Sequence, residues 1–412
     1  MERPPTSDRQ LSAYADLLSE ERLDDLRERG ERIAGTRVCH VNSTASGGGV
    51  AELLRSLVPL FEDVGVETDW AVMEADEPFF EVTKRIHNGL QGEEGGLTPE
   101  MRETYAETTE RNARAFSGEY DVVVLHDPQP LGMIGTLEER FPDTRFVWRC
   151  HIDCTAASQP YLDLLSTHLE HVDHAVFSRA VYGETIGIEP RSIVYPAIDP
   201  LTEKNRPLTE GEARAERDRL SSVPFEGDEP ILTQVSRFDP WKDPLGVIEA
   251  FRGVQEQVPD AQLVLLGGMA DDDPEGREVY ERVLAEAGAD SGVHLLTNEP
   301  DLTVNYVQSR SDVVVQKSIR EGFGLVVSEA LWKRTPVVAS RVGGIPLQIT
   351  DGETGYLTEP REIGTVTDRI TRLFSEPELR ERLGENAREH VREQFLLPRQ
   401  LGDYLELFDR LG

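Results

Sequence analysis

Short apolar runs rich in Val, Ile and Leu recur along the chain, and most are continuous rather than alternating. They fall at 37–41, 121–125, 145–149, 174–177, 192–195, 231–235, 262–266, 293–296, 312–315 and 336–339. A strand with one wet face alternates polar and apolar residues, whereas a strand covered on both faces does not, which is the mark of a parallel sheet between two layers of helices. Amphipathic stretches stand between the runs, as at 50–61, 276–287 and 325–333. Repeated β–α units of this kind wind into doubly covered α/β sheets. At 412 residues the chain exceeds one core, and two to three domains of ~100–200 residues are expected.

The domain boundary is predicted near residue 200. Tyr195-Pro196-Ala197-Ile198-Asp199-Pro200 is extended and proline-punctuated, the polar segment 201–230 has little strand signal, and the pattern restarts at Ile231. The expected units are 1–200 and 201–394, with a C-terminal helix at about 395–412 packing back on the first. The stretch 389–411 is helical in pattern but broken by Pro398, and 9–32 reads as one polar-faced helix. Ligands of open α/β sheets bind beyond the carboxyl ends of the strands. Two facing Rossmann-like domains would therefore frame a cleft lined by the loops that follow the strands.

Asp and Glu number 77 against 43 Lys and Arg, a net charge of -34, which argues against nucleic acid or an anionic membrane as partner. The five lysines are Lys84, Lys204, Lys242, Lys317 and Lys333, and the other 38 cations are arginines. Such a surface suits high intracellular salt, where a Debye length of ~3 Å at ~1 M screens self-repulsion. A GC-rich genome would account for the lysine deficit but not for the acidity. No apolar run approaches the ~20 residues of a membrane span, and Met1 to Gln10 carry no apolar core of a secretory signal. Cys39, Cys150 and Cys154 cannot build a disulfide framework, so a reducing, cytoplasmic setting is expected.

Three loops carry candidate chemistry. After the first strand, Asn42 leads through Gly47, Gly48 and Gly49 into a helix, where glycines let the backbone approach a ligand. A dinucleotide fingerprint fails because Glu52 stands at the third glycine position; a plain tight turn is the competing reading. After 231–235, Arg237 and Lys242 flank a turn and together suit a diphosphate, as planar fork and point charge; local pairs to Asp239 and Asp243 are the alternative. After 312–315 comes Gln316-Lys317-Ser318-Ile319-Arg320-Glu321-Gly322-Phe323-Gly324-Leu325, with Glu329 about two turns into the helix that follows. Gly322 and Gly324 expose N–H groups where the helix dipole favours phosphate, Glu321 can accept from sugar hydroxyls, and Glu329 can take both hydroxyls of a ribose. In the first half, His126 and Asp127 follow one run, while His151 and Asp153 follow another. A histidine there can donate to a sugar hydroxyl or a leaving oxygen, or else be bonded locally. Zinc on Cys150, His151 and Cys154 is disfavoured, because neighbouring strand residues point to opposite faces and no second Cys/His pair has ligand spacing.

The pair Glu321/Glu329, with Arg237 and Lys242 before it and Gly343-Gly344-Ile345 after it, resembles the retaining nucleotide-sugar glycosyltransferases of family 4. That resemblance implies the glycosyltransferase type B fold, Arg237 and Lys242 on the donor diphosphate, Glu321 on the donor sugar and Glu329 on the ribose. The stretches at 40–44, 47–52, 79–84, 87–92, 126–130 and 148–153 resemble the trehalose glycosyltransferring synthases. They imply interconversion of NDP-glucose plus glucose with α,α-trehalose plus NDP. Ala45 departs from an expected proline, and no lysine precedes the glycines as it does in polymer synthases. Lys84, Lys242 and Lys317 fall inside these stretches. No tightly bound cofactor and no protein metal site are implied; magnesium at the diphosphate and a homodimer are left open. A trehalose phosphorylase, a non-catalytic sugar-nucleotide binder and, more distantly, a nicotinamide dehydrogenase are the competing functions.

Overall fold

The computed structural model describes residues 1–46, 48–225, 227–268, 274–288 and 290–412. The chain divides into two compact units, 1–197 with 397–412, and 198–396. Unit one contains β1 (Arg37–Asn42), β2 (Glu67–Val72), β3 (Val122–His126), β4 (Arg145–Cys150), β5 (His174–Phe177) and β6 (Arg191–Ile193). Unit two contains β7 (Ile231–Val235), β8 (Gln262–Gly267), β9 (Val293–Thr297), β10 (Val313–Gln316), β11 (Val337–Ser340) and β12 (Gly355–Thr358). Each set forms one parallel sheet, ordered β2-β1-β3-β4-β5-β6 and β12-β11-β10-β7-β8-β9.

These orders fix where a ligand can enter. Helices cross to opposite faces where the strand order reverses, opening a crevice at the carboxyl ends of the two strands involved. The reversal lies between β1 and β3 in unit one and between β7 and β10 in unit two. The central strands are buried along their length, as β3 and β7 show. Each valine or leucine there stabilises the fold by ~1.5–3 kcal/mol.

The strands depart from the sequence expectation at the sheet edges. β2 was not predicted because Glu67-Thr68-Asp69-Trp70 lacks an apolar run, and β12 was not because it opens on Gly355. β6 pairs over Arg191–Ile193 rather than 192–195; Arg191 and Ser192 are half-buried, Ile193 is exposed, and the chain leaves the sheet before Pro196. The N-terminal segment is not one helix but a 3-10 turn, Leu11–Tyr14, then a helix, Glu20–Arg32. The Ser19 side chain accepts from Arg22 N and starts a new helix with Glu20 and Glu21 in its first turn. Near the C-terminus, one helix, Pro377–Gln394, ends and another, Leu397–Leu411, begins. Pro398 lies in the first turn of the second, where a missing N–H costs nothing, so the break falls at Phe395 and Leu396.

Candidate active site

In unit two, the loops after β7 and β10 meet. Ile319 N donates to Trp241 O at 2.7 Å, and the Lys242 ammonium donates to Glu321 Oε2 at 2.6 Å. That same oxygen accepts from Gln316 Nε2 and Ser318 Oγ, both at 3.2 Å. Three donors on one oxygen fix the orientation of the carboxylate, which is 8% exposed. Lys317, 1% exposed, donates to the Asp243 carboxylate. Asp243 adopts φ 49°, and its other oxygen caps the next helix at Gly246 N. The backbone here depends on two glycines. Gly324, at φ +81°, ends the loop, and a Cβ on Gly343 would stand 1.5 Å from the Glu321 carbonyl oxygen.

Arg237 does not join Lys242 in this arrangement. Its side chain is 60% exposed, with its guanidinium 3.4 Å from Asp239, which is the local pairing weighed as the alternative above. Lys242 passes over Asp243 in favour of Glu321. Glu329 is the fifth residue of the helix Leu325–Trp332, just over one turn in rather than two. It is 5% exposed, and Oε1 lies 3.9 Å from Lys204 Nζ. Behind it the Lys333 ammonium donates to Asn205 Oδ1 at 3.0 Å and Glu329 O at 3.2 Å. Burial brings the pKa of Lys333 down to about 7. Gly322, Gly324 and Leu325 are half-buried at the helix start. Phe323 is 6% exposed and packs on Phe395, so its side chain is part of the core.

In unit one, three imidazoles form a chain. His40 Nδ1 lies 2.9 Å from His126 Nε2, and His126 Nδ1 lies 3.1 Å from His151 Nε2. The sheet register explains this. His40 is level with Val124 and His126 with Arg149, so all three side chains share one face, and His151 continues that face two residues beyond Arg149. His40 and His126 are 0% and 2% exposed, while His151 is half-buried. Burial holds His40 down to about 3 and His126 well below the ordinary imidazole range, with the neighbouring imidazoles and the Arg149 cation adding to it. Burial and Arg149 do the same for His151. Asp127, at φ 65°, accepts from His151 N at 2.7 Å and so sets the loop; burial raises its carboxyl to about 6.

Several residues predicted to touch substrate are occupied within the protein. Asn42 donates to Thr44 O at 2.7 Å and accepts from Trp70 Nε1 at 2.8 Å, bracing the loop. His126 is interior. Asp153 accepts from Thr155 N and Oγ1 in a local turn. Gly48 precedes the helix Gly49–Asp63 in extended backbone, and a Cβ there would meet nothing within 4 Å, so protein packing does not demand its glycine. Gly47 lies outside the described residues. Lys84 is exposed. Cys150 and Cys154 hold their sulfurs 3.7 Å apart, with the His151 ring turned to His126. Among the described residues no three His, Cys, Asp or Glu are grouped to hold a metal ion, and no helix is long and apolar enough to cross a membrane. An open depression of about 520 Å³, lined by Arg3, Arg37, Asp69, Glu119 and Tyr120, sits at the start of β1 and β2, the wrong end of the strands for this chemistry.

Sequence reasoning did not single out His40, Arg149, Asp243, Trp241, Lys204 or Lys333. Trp241 stacks under the Arg320 guanidinium at 4.4 Å. Arg149 is fully buried and donates to Ser178 Oγ and Val194 O. A polar residue inside an apolar strand run was the available signal for His40 and Arg149, and lysine scarcity was the signal for Lys204 and Lys333.

Two parallel α/β sheets, each with polar loops gathered at its strand-order reversal, are the arrangement of the glycosyltransferase type B fold. Solved structures with this fold include a sucrose-phosphate synthase from Thermosynechococcus elongatus (TM-score 0.70, 19% identity, covering 91% of this chain and 99% of that one). Another is an α,α-trehalose 6-phosphate synthase from Burkholderia multivorans (0.71, 15%, 91% and 98%). The family descriptions "Trehalose synthase, N-terminal domain" and "Glycosyl transferases group 1" match residues 40–184 and 216–390. The chain belongs to the trehalose synthase family. It is 47% identical to the trehalose synthase of Rubrobacter xylanophilus over 97% of both chains. It is 41% identical to that of Pyrococcus horikoshii over 98% of this chain and 97% of the relative. It is thus a glycosyltransferase acting in trehalose-related glycosyl transfer.

Proposed function

We propose that the protein is a retaining glucosyltransferase that interconverts NDP-glucose plus glucose with α,α-trehalose plus NDP. The observation that carries this reading is the 2.6 Å contact between Lys242 and Glu321, which joins a cation from the loop after β7 to a carboxylate from the loop after β10 at the strand-order reversal. Lys242, with Arg237 swung from its exposed position, neutralises the diphosphate leaving group beside the helix start at Gly324. Charge that develops as the glycosidic bond breaks is stabilised by groups already in place, often the largest catalytic term. Glu321, clamped at Oε2, uses Oε1 to orient the donor glucose. Glu329 takes the ribose hydroxyls. His151, Asp153 and the 47–49 loop serve the sugars.

The nucleotide sugar enters as substrate rather than as a resident cofactor. A magnesium ion on the diphosphate, held by phosphate oxygens and water, stays compatible with this reading. A cytoplasmic location and a homodimer stay part of this reading, while the comparisons lend no support to the high-salt source suggested by composition.

A phosphorylase is the second reading. The chain is 28% identical to the trehalose phosphorylase of Grifola frondosa over 90% of its own length and 56% of the relative's. The buried Glu329 favours a nucleotide, since phosphate offers it no hydroxyl pair. Incubating the purified protein with trehalose and ADP, UDP, GDP or inorganic phosphate separates the two. NDP-glucose is the expected product; glucose 1-phosphate from the phosphate arm alone would replace the first reading with the second.

A further inference from the structure

The imidazole chain of unit one has two possible polarities. In one, His40 Nδ1–H donates to His126 Nε2, His126 Nδ1–H donates to His151 Nε2, and His151 presents Nδ1–H outward. In the other every bond is reversed, and His151 presents a bare Nδ1 lone pair while His40 carries its proton on Nε2. Resting imidazoles place one proton on one of two nitrogens, so fixing either end fixes all three.

The inner end decides. His40 is fully buried, and its Nε2 has no hydrogen-bond partner among the described residues. Its ring is enclosed by Phe61, Tyr404 and Phe408, with centroids at 5.8, 5.9 and 6.5 Å. Buried N–H groups without an acceptor are uncommon in folded proteins, and under-satisfied acceptors are less so. The reversed polarity would bury such a donor among aromatic rings. The outer end tolerates either polarity, because His151 is half-buried.

We infer that His40 and His126 are positioning residues that lock His151 in its Nδ1–H tautomer, so that His151 meets its ligand as a hydrogen-bond donor and not as a general base. The groups facing the chain agree with this. Among the described residues Arg149 donates to Ser178 and Val194 and to none of the imidazoles, while Asp127 takes the backbone N–H of His151 and not its ring. The group recognised is an acceptor oxygen, such as a sugar hydroxyl oxygen or the oxygen leaving the anomeric carbon. That last step rests on the function proposed above; the polarity of the chain does not.

The test is a long-range ¹H–¹⁵N correlation spectrum of the full-length protein labelled with [¹⁵N]histidine, recorded at neutral pH. With nine histidines in the chain, substitutions assign the signals. All three members are expected as Nδ1–H. An Nε2–H assignment at His151 would overturn the inference without any variant. His126→Asn keeps an amide N–H at the Nδ1 position, whereas His126→Leu has similar shape and no donor. His151 should stay Nδ1–H in the first and lose that bias in the second, with kcat/KM about tenfold lower in Leu than in Asn. An unchanged His151 tautomer in His126→Leu also overturns it. A correct tautomer with equal kcat/KM in the two variants would leave the polarity standing and strike the ligand role.

Discussion

Unit two gathers ion pairs at its strand-order reversal, whereas unit one sets a row of imidazoles there beside the buried Arg149. Lys242 meets Glu321, Lys317 meets Asp243, and Lys204 lies near Glu329, so four of five lysines, counting Lys333 behind Glu329, are drawn into one unit's polar loops. At the matching place in unit one stand three neutral imidazoles in series. The difference is chemical. A diphosphate needs compact cations kept from collapsing onto the surface, and a carboxylate partner keeps each cation oriented. A neutral sugar needs oriented donors and acceptors without net charge, because a buried uncompensated charge is expensive. In the function proposed above, one fold used twice carries an ion-paired site for the diphosphate and an imidazole-lined one for the sugars.

The largest expected effect breaks the ionic side. Lys242→Ala should lower kcat by about 10²–10³ with the fold intact by circular dichroism, and Arg237→Ala should cost less, since Arg237 is exposed. Near-normal turnover of Lys242→Ala with every nucleotide would remove the diphosphate site from unit two. Next, Glu329→Ala should weaken nucleoside diphosphate binding by about 1.5–3 kcal/mol, seen in KM more than kcat; unchanged affinity by calorimetry would count against the ribose assignment.

The neutral side is tested by pH. His40 is held near 3 against an ordinary 6.5, so between these values the unfolded chain binds a proton that the folded chain lacks. Stability therefore rises with pH across that window, by about 1.4 kcal/mol per unit from this residue. Asp127, raised to about 6, works in the opposite direction between 3.8 and 6. In urea titrations at pH 6.5 and 5.5, His40→Asn should lose about 1 kcal/mol less on acidification than the parent, since the unfolded imidazole is already half protonated at 6.5; equal losses would mean that His40 is not held neutral. The smallest effect is general. A net charge of -34 predicts that molar salt raises the melting midpoint by a few degrees through screening, and identical midpoints at low and molar salt would refute that.

Much of this was legible in the chain. The central strands β3, β4, β5, β7 and β8 lie within a residue or two of their apolar runs, because burial on both faces leaves a continuous hydrophobic signature. Glu321 and Lys242 could be singled out because each stands in a short loop between a strand's carboxyl end and a helix, where few side chains are available. The edge strands β2 and β12 were hidden: β2 is partly exposed and opens on Glu67-Thr68-Asp69, and β12, though buried, is four residues long and carries Gly355 and Thr358 at its ends.

What the sequence alone determined, then, is local: the β–α alternation, the glycine turns, the acidic composition, and which charged residues follow which strand. Tertiary structure decided the pairings. Nothing in the order of residues says that Lys242 passes over Asp243, its neighbour, to reach Glu321, or that Arg237 stays outside. Nor does it say that His40, 86 positions from His126, completes an imidazole chain ending at His151. Those contacts depend on strand order and register, which bring β1 beside β3 and β7 beside β10. Order and register are set by how whole helices cover a sheet, a property of the packed molecule and of no single segment.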